Sequence, residues 1–347
     1  MPSEKRGQWV SYPFGLAMKL MACALMWLIA ITGLHQWLNN RSVGQTVVRM
    51  GYMPVITNLA APLLDHVSRD RKDVHFQAVK FASFAEMAEA LRNDSIQTAF
   101  IIAPLAIVLH QQGVDIKVIL IGNRHESTLV AHKKLNARRI EDLQGATVAV
   151  PMRYSGHNLC LMQAMAEKGL AGKINVVEMN PPDMASALTS GALDAYFVGE
   201  PFAAQTIISK DADVVDYAES LWPGFICNLI IAKRGWLDAH PSIARKLVVG
   251  AARSGIWAGR HPQEAAGIAS AYWNQSLELV QYALTTPADR IVFDRFVPVK
   301  EELSEIADLM VRYGLIENAD IDGLVDDHLA RTAPIDNVGG VESILAR

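Results

Sequence analysis

The segment Ile96–Ile102 constrains the chain most. It reads as a strand apolar on both faces, and such a strand needs cover on each side, the condition inside a parallel sheet flanked by helices. The neighbouring sequence supplies that cover. Val74–Lys80 alternates its faces as a strand does. Ser83 then opens a helix: Ser83 and Glu86 form a capping box, and Phe84, Met87, Ala88 and Leu91 make its apolar stripe. Pro104 stands where the next helix starts and Gly113 where it stops. Further strands are expected at Thr46–Met50, Lys117–Ile121, Ser127–His132, Thr147–Val150, Ile174–Met179 and Ala195–Val198, with helices from Asn58, over His157–Lys168 and Pro182–Ser190, and from Pro201. Beyond Trp236 the chain reads as helical, over Pro241–Arg260, Gln263–Trp273, Lys300–Tyr313 and Ile321–Ala330.

This βαβα alternation implies an α/β fold with parallel sheets. The pattern restarts near Ser127, and the strand Ile226–Ile231 returns the chain to the first sheet. The expected organisation is therefore a first lobe of residues 46–126 and 226–332, a second lobe of 127–225, and a C-terminal tail of 333–347. Two crossings make a hinge with a cleft between the lobes. Ligands of open α/β sheets sit beyond the carboxyl ends of strands. That singles out the loops Gly51–Asn58, Ala103–Pro104, Pro151–His157 and Gly199–Phe202.

Ahead of this body, Lys5 and Arg6 precede an apolar run from Phe14 to Leu34 broken only by Lys19. The uninterrupted part, Leu20–Leu34, suits the apolar core of a secretory signal, and the whole run approaches the roughly 20 residues that span a bilayer. Basic residues before the run place the N-terminus inside and everything after Gln36 outside. Ala30-Ile31-Thr32-Gly33 is a poor cleavage site, so residues 1–40 read as a cytoplasmic tip and an uncleaved membrane anchor. Apolar sequence after Cys23 argues against a lipoprotein. The net charge of −4, with no polybasic arm, argues against a nucleic-acid partner. Cys160 and Cys227 sit among apolar neighbours and read as separate buried thiols, with a disulfide left open. No GxSxG elbow, P-loop, HExxH or metal-type Cys/His spacing occurs, so neither catalysis nor a cofactor is expected.

The segments Asn180-Pro181-Pro182-Asp183-Met184, Gly191-Ala192-Leu193-Asp194-Ala195 and Val198-Gly199-Glu200-Pro201-Phe202, with Gly51-Tyr52-Met53-Pro54 upstream, resemble the nitrate/sulfonate/bicarbonate-type solute-binding proteins of ABC importers. The similarity runs from Val48 to about Ala330. It implies a type II-like periplasmic-binding-protein clamp, monomeric, that closes on a small polar or anionic molecule and presents it to a permease and its ATPase. It also implies a ligand role for His157, which matches a His of nitrate- and bicarbonate-type members. One departure stands out. Those members carry a His-Pro-Glu-Lys segment after a Trp, whereas Trp222 here is followed by Pro223-Gly224-Phe225-Ile226-Cys227-Asn228, with no Lys until Lys233. A buried oxyanion needs a cation or several aimed N–H donors. The departure therefore points from nitrate and bicarbonate toward a sulfonate, a carboxylate or another small polar organic molecule.

Each candidate ligand residue has a bland alternative. Tyr52 and Pro54 form a pocket wall or a packed turn. Thr57 and Asn58 line the pocket or cap the next helix. Pro104 belongs to the second ligand loop or only starts a helix. Arg153 and Tyr154 reach ligand or solvent. Ser155 aims backbone N–H groups at an anion or forms a turn. His157 binds ligand or caps its helix, and Cys160, three residues on, is a nucleophile partner or core. Glu200 touches ligand or the hinge, Trp222 stacks on ligand or packs between lobes, and Asn228, polar in an apolar strand, needs a partner of some kind. A tethered ligand sensor without a permease is the rival reading. A thiamine-precursor-type enzyme is a more distant one, since the cysteine-rich run usual in that branch is missing.

Overall fold

The computed structural model describes residues 14–39 and 45–346; Lys5, Arg6 and most of the expected linker lie outside the described residues. Two units are present, the first ending at Thr46 and the second running from Val47. The first holds one helix, Phe14–Asn39, whose window Met18–His35 is apolar and long enough to cross a membrane and has none of its surface buried.

The second unit is built on two five-stranded sheets. The strands, in chain order, are β1 (Thr46–Tyr52), β2 (Val74–Lys80), β3 (Thr98–Ile102), β4 (Ile116–Ile121), β5 (Ser127–His132), β6 (Thr147–Val150), β7 (Asn175–Glu178), β8 (Ala195–Gly199), β9 (Ala212–Tyr217) and β10 (Asn228–Lys233). The first sheet has the order β2-β1-β3-β10-β4 and the second β7-β6-β8-β5-β9. Helices flank both, and every residue of β3 and of β8 is buried. The helix Phe84–Arg92 shows the local logic. Ser83 caps it by accepting from the Ala85 N–H at 3.2 Å, and Phe84, Met87, Ala88 and Leu91 are its buried face.

Neither sheet is parallel throughout, which corrects the expectation from the sequence. β1 and β3 run parallel, as do β6, β7 and β8, but β10 is antiparallel to both β3 and β4, and β5 to both β8 and β9. The cause is topological. β5 and β10 are the strands that follow the two crossings, so each enters its sheet from the cleft end and runs against its neighbours. An apolar run carries no mark of strand direction, so the sequence pattern was silent on this.

Other expectations also change. Thr57 and Asn58 do not cap the helix that follows; Leu59 precedes Ala60–Ser68, without a side-chain cap, and Ile56–Asn58 is a 3₁₀ turn. Ile321–Ala330 is not a helix. Val118 N–H donates to Leu324 O and Asp326 N–H to Val118 O, so the chain lies extended along β4 before a short helix, His328–Arg331. The strand β9 and the helix Leu277–Thr285 were not anticipated. The C-terminal segment is packed: Val338 and Ile344 are buried, and the Arg253 guanidinium donates to the carbonyls of Pro334, Ser343 and Ala346.

The crossings are held by Arg124, a side chain 2% exposed. Its guanidinium donates twice to the Glu302 carboxylate at 2.8 Å, to Gly224 O at 2.9 Å and to Arg295 O at 3.2 Å. Its backbone pairs with Ile226 and Val292. One side chain thus joins the outgoing crossing, the returning crossing and the segment before the helix Lys300–Arg312. Charge-assisted hydrogen bonds of this kind contribute about 1.5–3 kcal/mol each, less where one partner is partly exposed. Arg124→Ala should lower the stability of the body by about 3 kcal/mol, read as a shift of the urea midpoint at unchanged slope, with Glu302→Gln costing about 1 kcal/mol. Equal midpoints for Arg124→Ala and the parent would show that the crossings do not depend on this side chain.

Candidate functional site

The loop after β1 and the turn after β8 meet across the two sheets. Ile56 N–H donates to Glu200 O at 2.8 Å, a backbone hydrogen bond that ties the first sheet's loop to the second sheet's turn. The approach is close at several points. A Cβ at Gly122 would lie 2.1 Å from Thr57 O, and one at Gly199 would lie 2.9 Å from the Glu126 carboxylate.

Behind this contact runs a buried hydrogen-bonded circuit. Asn58 Nδ2 donates to Met53 O at 3.0 Å, which fixes its amide, and Asn58 Oδ1 accepts from Asn228 Nδ2 at 2.7 Å. Asn228 Oδ1 accepts from the Cys227 thiol at 3.2 Å, and that sulfur lies 3.9 Å from His157 Nε2. His157 Nε2 is 2.8 Å from Ser127 Oγ, and Ser127 Oγ donates to Glu126 at 3.1 Å. The other Glu126 oxygen accepts from Glu200 N–H at 2.7 Å, which returns the path to the residue that receives Ile56. All the side chains on this path are 3% exposed or less, so bulk solvent does not reach them.

Burial sets the charge state. His157 lies between the rings of Phe197 and Phe225, with centroids 5.2 and 5.6 Å away, and desolvation lowers its pKa to about 3. It is therefore a neutral imidazole. Desolvation raises Glu126 to about 7 and raises Glu200 and the Cys227 thiol as well. The nearest buried cation, Arg290, is already engaged: it donates to Glu219 at 2.7 Å, to Thr128 Oγ1 at 2.9 Å and to Ser127 O, and lies over the Tyr217 ring. Three buried groups here lack partners: Thr57 Oγ1, both amide atoms of Asn123, and His157 Nδ1. Unpaired buried polar atoms each cost about 1–3 kcal/mol, so in a folded protein they point to a ligand or to water. Outside this circuit a groove of about 420 Å³ opens between the lobes, with Ser83 and Phe84 on one side and Met152, Glu178, Met179 and Asp183 on the other.

The residues singled out from the sequence divide into three sets. Asn58, His157, Glu200 and Asn228 are joined by the circuit, with Thr57 and Pro54 buried in the same loop as Asn58. Glu200 turns its carboxylate inward to Thr128 Oγ1 and Ala204 N–H, and offers the cleft only its carbonyl. Ser155 caps the helix Gly156–Glu167 by accepting from Asn158 N–H, and Pro104 is buried in the first turn of Ala103–Gln111. Tyr52 belongs to the buried core of the first lobe with Met50 and Leu64, and its side chain has no hydrogen bond to the circuit. Arg153, Tyr154 and Trp222 are not joined to it. Arg153 is exposed over the Tyr154 ring, and Trp222 is half-buried edge-on to Phe225. Cys160 is buried with no bond to His157; it is Cys227 that lies near the imidazole, and both thiols are free. Sequence reasoning missed Glu126, Ser127, Cys227 and Arg290. It looked for ligand residues at the carboxyl ends of strands, but β5 and β10 are reversed, so their first residues, Ser127 and Asn228, face the cleft. A Glu-Ser pair heading an apolar strand was the signal available.

The taurine-binding periplasmic protein of Escherichia coli is 27% identical over 172 residues, covering 48% of this chain and 52% of that protein, so the chain spans about half the length of that relative. A Bacillus subtilis protein named for binding aliphatic sulfonates is 22% identical over 76% of this chain and 80% of its own length. Among solved structures, the ligand-binding component of an ABC-type import system from Staphylococcus aureus superposes with a TM-score of 0.75 at 20% identity, covering 84% of this chain and all of that one. The fold is thus that of the periplasmic binding proteins. A sequence profile matches residues 42–272, two thirds of the chain, and by that match this chain belongs to the NMT1-like family.

Proposed function

We propose that this protein is the extracytoplasmic solute-binding component of an ABC importer, which captures a small polar or anionic molecule by closing its lobes and hands it to a permease. The observation that carries this reading is the buried path from Asn58 to Glu200. It uses residues of both lobes and both crossings, so a molecule seated there is held by groups that converge only when the lobes are together. Ligand binding then stabilises the closed form by its differential affinity. Sulfonates are the first class to test, because one relative is named for binding aliphatic sulfonates and another for taurine, which carries a sulfonate group. Nitrate-like ions fit less well, since the path holds a neutral imidazole and the nearby Arg290 is already paired.

A binder suits the site better than an enzyme. Burial raises the pKa of both Cys160 and Cys227 and so keeps them as thiols, not thiolates. The apolar helix Phe14–Asn39 is read as an uncleaved anchor that keeps the binder beside its permease and raises its effective concentration there.

Two measurements test this reading. Thermal unfolding of the full chain in detergent against taurine, alkyl sulfonates, nitrate, bicarbonate, thiamine precursors and small carboxylates should give a saturable shift with one class and no turnover. A ligand at 100 times its Kd adds about 2.7 kcal/mol. His157→Ala should weaken that ligand about tenfold or more. Turnover of any compound, or no shift in a ligand-free folded preparation, would count against an importer component. For the anchor, membranes washed with alkaline carbonate should retain the chain with its N-terminus intact by mass spectrometry; a soluble chain beginning after residue 33 would show a cleaved signal instead.

A further inference from the structure

The hydrogen-bonded path fixes where the single proton of the neutral His157 ring resides, and it does so from two sides. When ionised, above its pKa of about 7, Glu126 accepts at both carboxylate oxygens, from Ser127 Oγ and from Glu200 N–H. Ser127 therefore spends its only hydrogen on Glu126, and its oxygen can only accept from His157 Nε2, 2.8 Å away. The other end of the path gives the same polarity. Met53 O orients the Asn58 amide, so Asn58 Oδ1 accepts from Asn228 Nδ2, and the Cys227 thiol hydrogen goes to Asn228 Oδ1 or to the Glu126 carboxylate beside it, in either case away from the imidazole. The sulfur then faces His157 Nε2 as an acceptor too. Both ends favour the proton on Nε2, the Ser127 contact at 2.8 Å far more strongly than the weakly accepting sulfur at 3.9 Å. The remaining nitrogen, Nδ1, is then a bare lone pair, buried and without a partner. Among the described residues, Thr57 Oγ1 and the Asn123 amide are further unpartnered buried groups in the segments that flank the path.

We propose that Glu126 and Ser127 act as positioning residues that set the hydrogen-bonding polarity of His157, so that the site presents a bare imidazole nitrogen and selects a ligand carrying an N–H or O–H donor. This rests on the binding reading above and narrows it. An ion that only accepts, such as nitrate or a simple alkyl sulfonate, would set lone pair against lone pair at Nδ1. An amino- or hydroxyl-bearing sulfonate satisfies it while leaving its acidic end for other donors. The charged and titratable groups around Glu126 are Glu200, Cys227 and Arg290.

The relay is tested without any ligand. Full-length protein labelled with ¹⁵N-histidine is examined in detergent at pH 8, and the His157 ring is assigned by its loss in His157→Ala. The expected spectrum shows a protonated Nε2 and a bare Nδ1, with the tautomers mixed in Ser127→Ala. A proton on Nδ1 in the parent overturns the relay. Selection is tested with three probes of one skeleton, ethanesulfonate, 2-hydroxyethanesulfonate and 2-aminoethanesulfonate, by calorimetry. The parent should favour the two donor-bearing probes over ethanesulfonate about tenfold, and Ser127→Ala should lose most of that preference. Equal binding of all three by the parent overturns the selection but supports the sulfonate reading. Binding of none overturns the sulfonate reading, and the ring spectrum then decides the relay by itself.

Discussion

Each sheet of this protein is completed by a strand that arrives from the other lobe, and much else follows from that constraint. β5 and β10 enter from the cleft side, so they run against their neighbours and make both sheets mixed. Their first residues stand at the cleft, where the parallel strands end. Two kinds of chain terminus therefore line one space: loops leaving β1, β3, β6 and β8, and the starts of β5 and β10. The second sheet needs only the first crossing, which delivers β5, whereas the first sheet is complete only when the second crossing delivers β10, and Arg124 joins the two crossings through Glu302 and two backbone carbonyls. A buried guanidinium is costly to desolvate. Here its hydrogen bonds are aimed at groups from separate segments, so it specifies how the crossings lie against each other as well as stabilising them.

The same arrangement explains which features were legible in the sequence. Strand and helix positions followed from apolar periodicity and from capping, as at Ser83, and glycine stops at Gly113, Gly169 and Gly191 all take positive φ as a helix end requires. Strand direction was not legible, because apolar residues such as Leu229, Ile230 and Ile231 serve equally well either way. Ile321–Ala330 misled because its spacing suits a helix, yet Val325 is drawn into extended pairing beside Val118, a long-range contact that local spacing does not encode. Of the residues on the buried path, His157, Asn58, Asn228 and Glu200 were already ligand candidates from the sequence, the first and last through family resemblance and Asn228 through its oddity as an amide in an apolar strand. Glu126 and Ser127 escaped notice because the rule that ligands sit at strand carboxyl ends excludes a strand's first residues unless that strand is reversed.

A buried polar path through a hinge is an expensive feature. An apolar repacking of Ser127, His157, Cys227 and Asn228 would remove several desolvation penalties, and partly satisfied networks are worse than none. That cost is consistent with a role beyond stability. Each link has a fixed donor and a fixed acceptor, so the path carries directional information from Met53 O at one end and Glu126 at the other to one imidazole. It also leaves an unsatisfied acceptor at that imidazole. On the proposed closing mechanism, an unsatisfied group within the interface supplies differential affinity: a partner for His157 Nδ1 is gained only by a molecule enclosed there.

The chemical consequence concerns selectivity more than strength. One neutral hydrogen bond adds about 1 kcal/mol, whereas burying an acceptor against another acceptor forfeits the full desolvation of both, so discrimination against the wrong ligand exceeds the gain from the right one. A lysine in this position would attract any small anion through its charge. The sequence has no lysine between Trp222 and Lys233, and the structure fills that stretch with Phe225, Cys227 and Asn228, which contribute an apolar wall, a weak donor and an amide of fixed orientation. Replacing charge by oriented neutral groups trades long-range attraction for a requirement on the ligand's own hydrogen-bonding pattern. Such a site reads which groups the ligand carries, and its net charge counts for less.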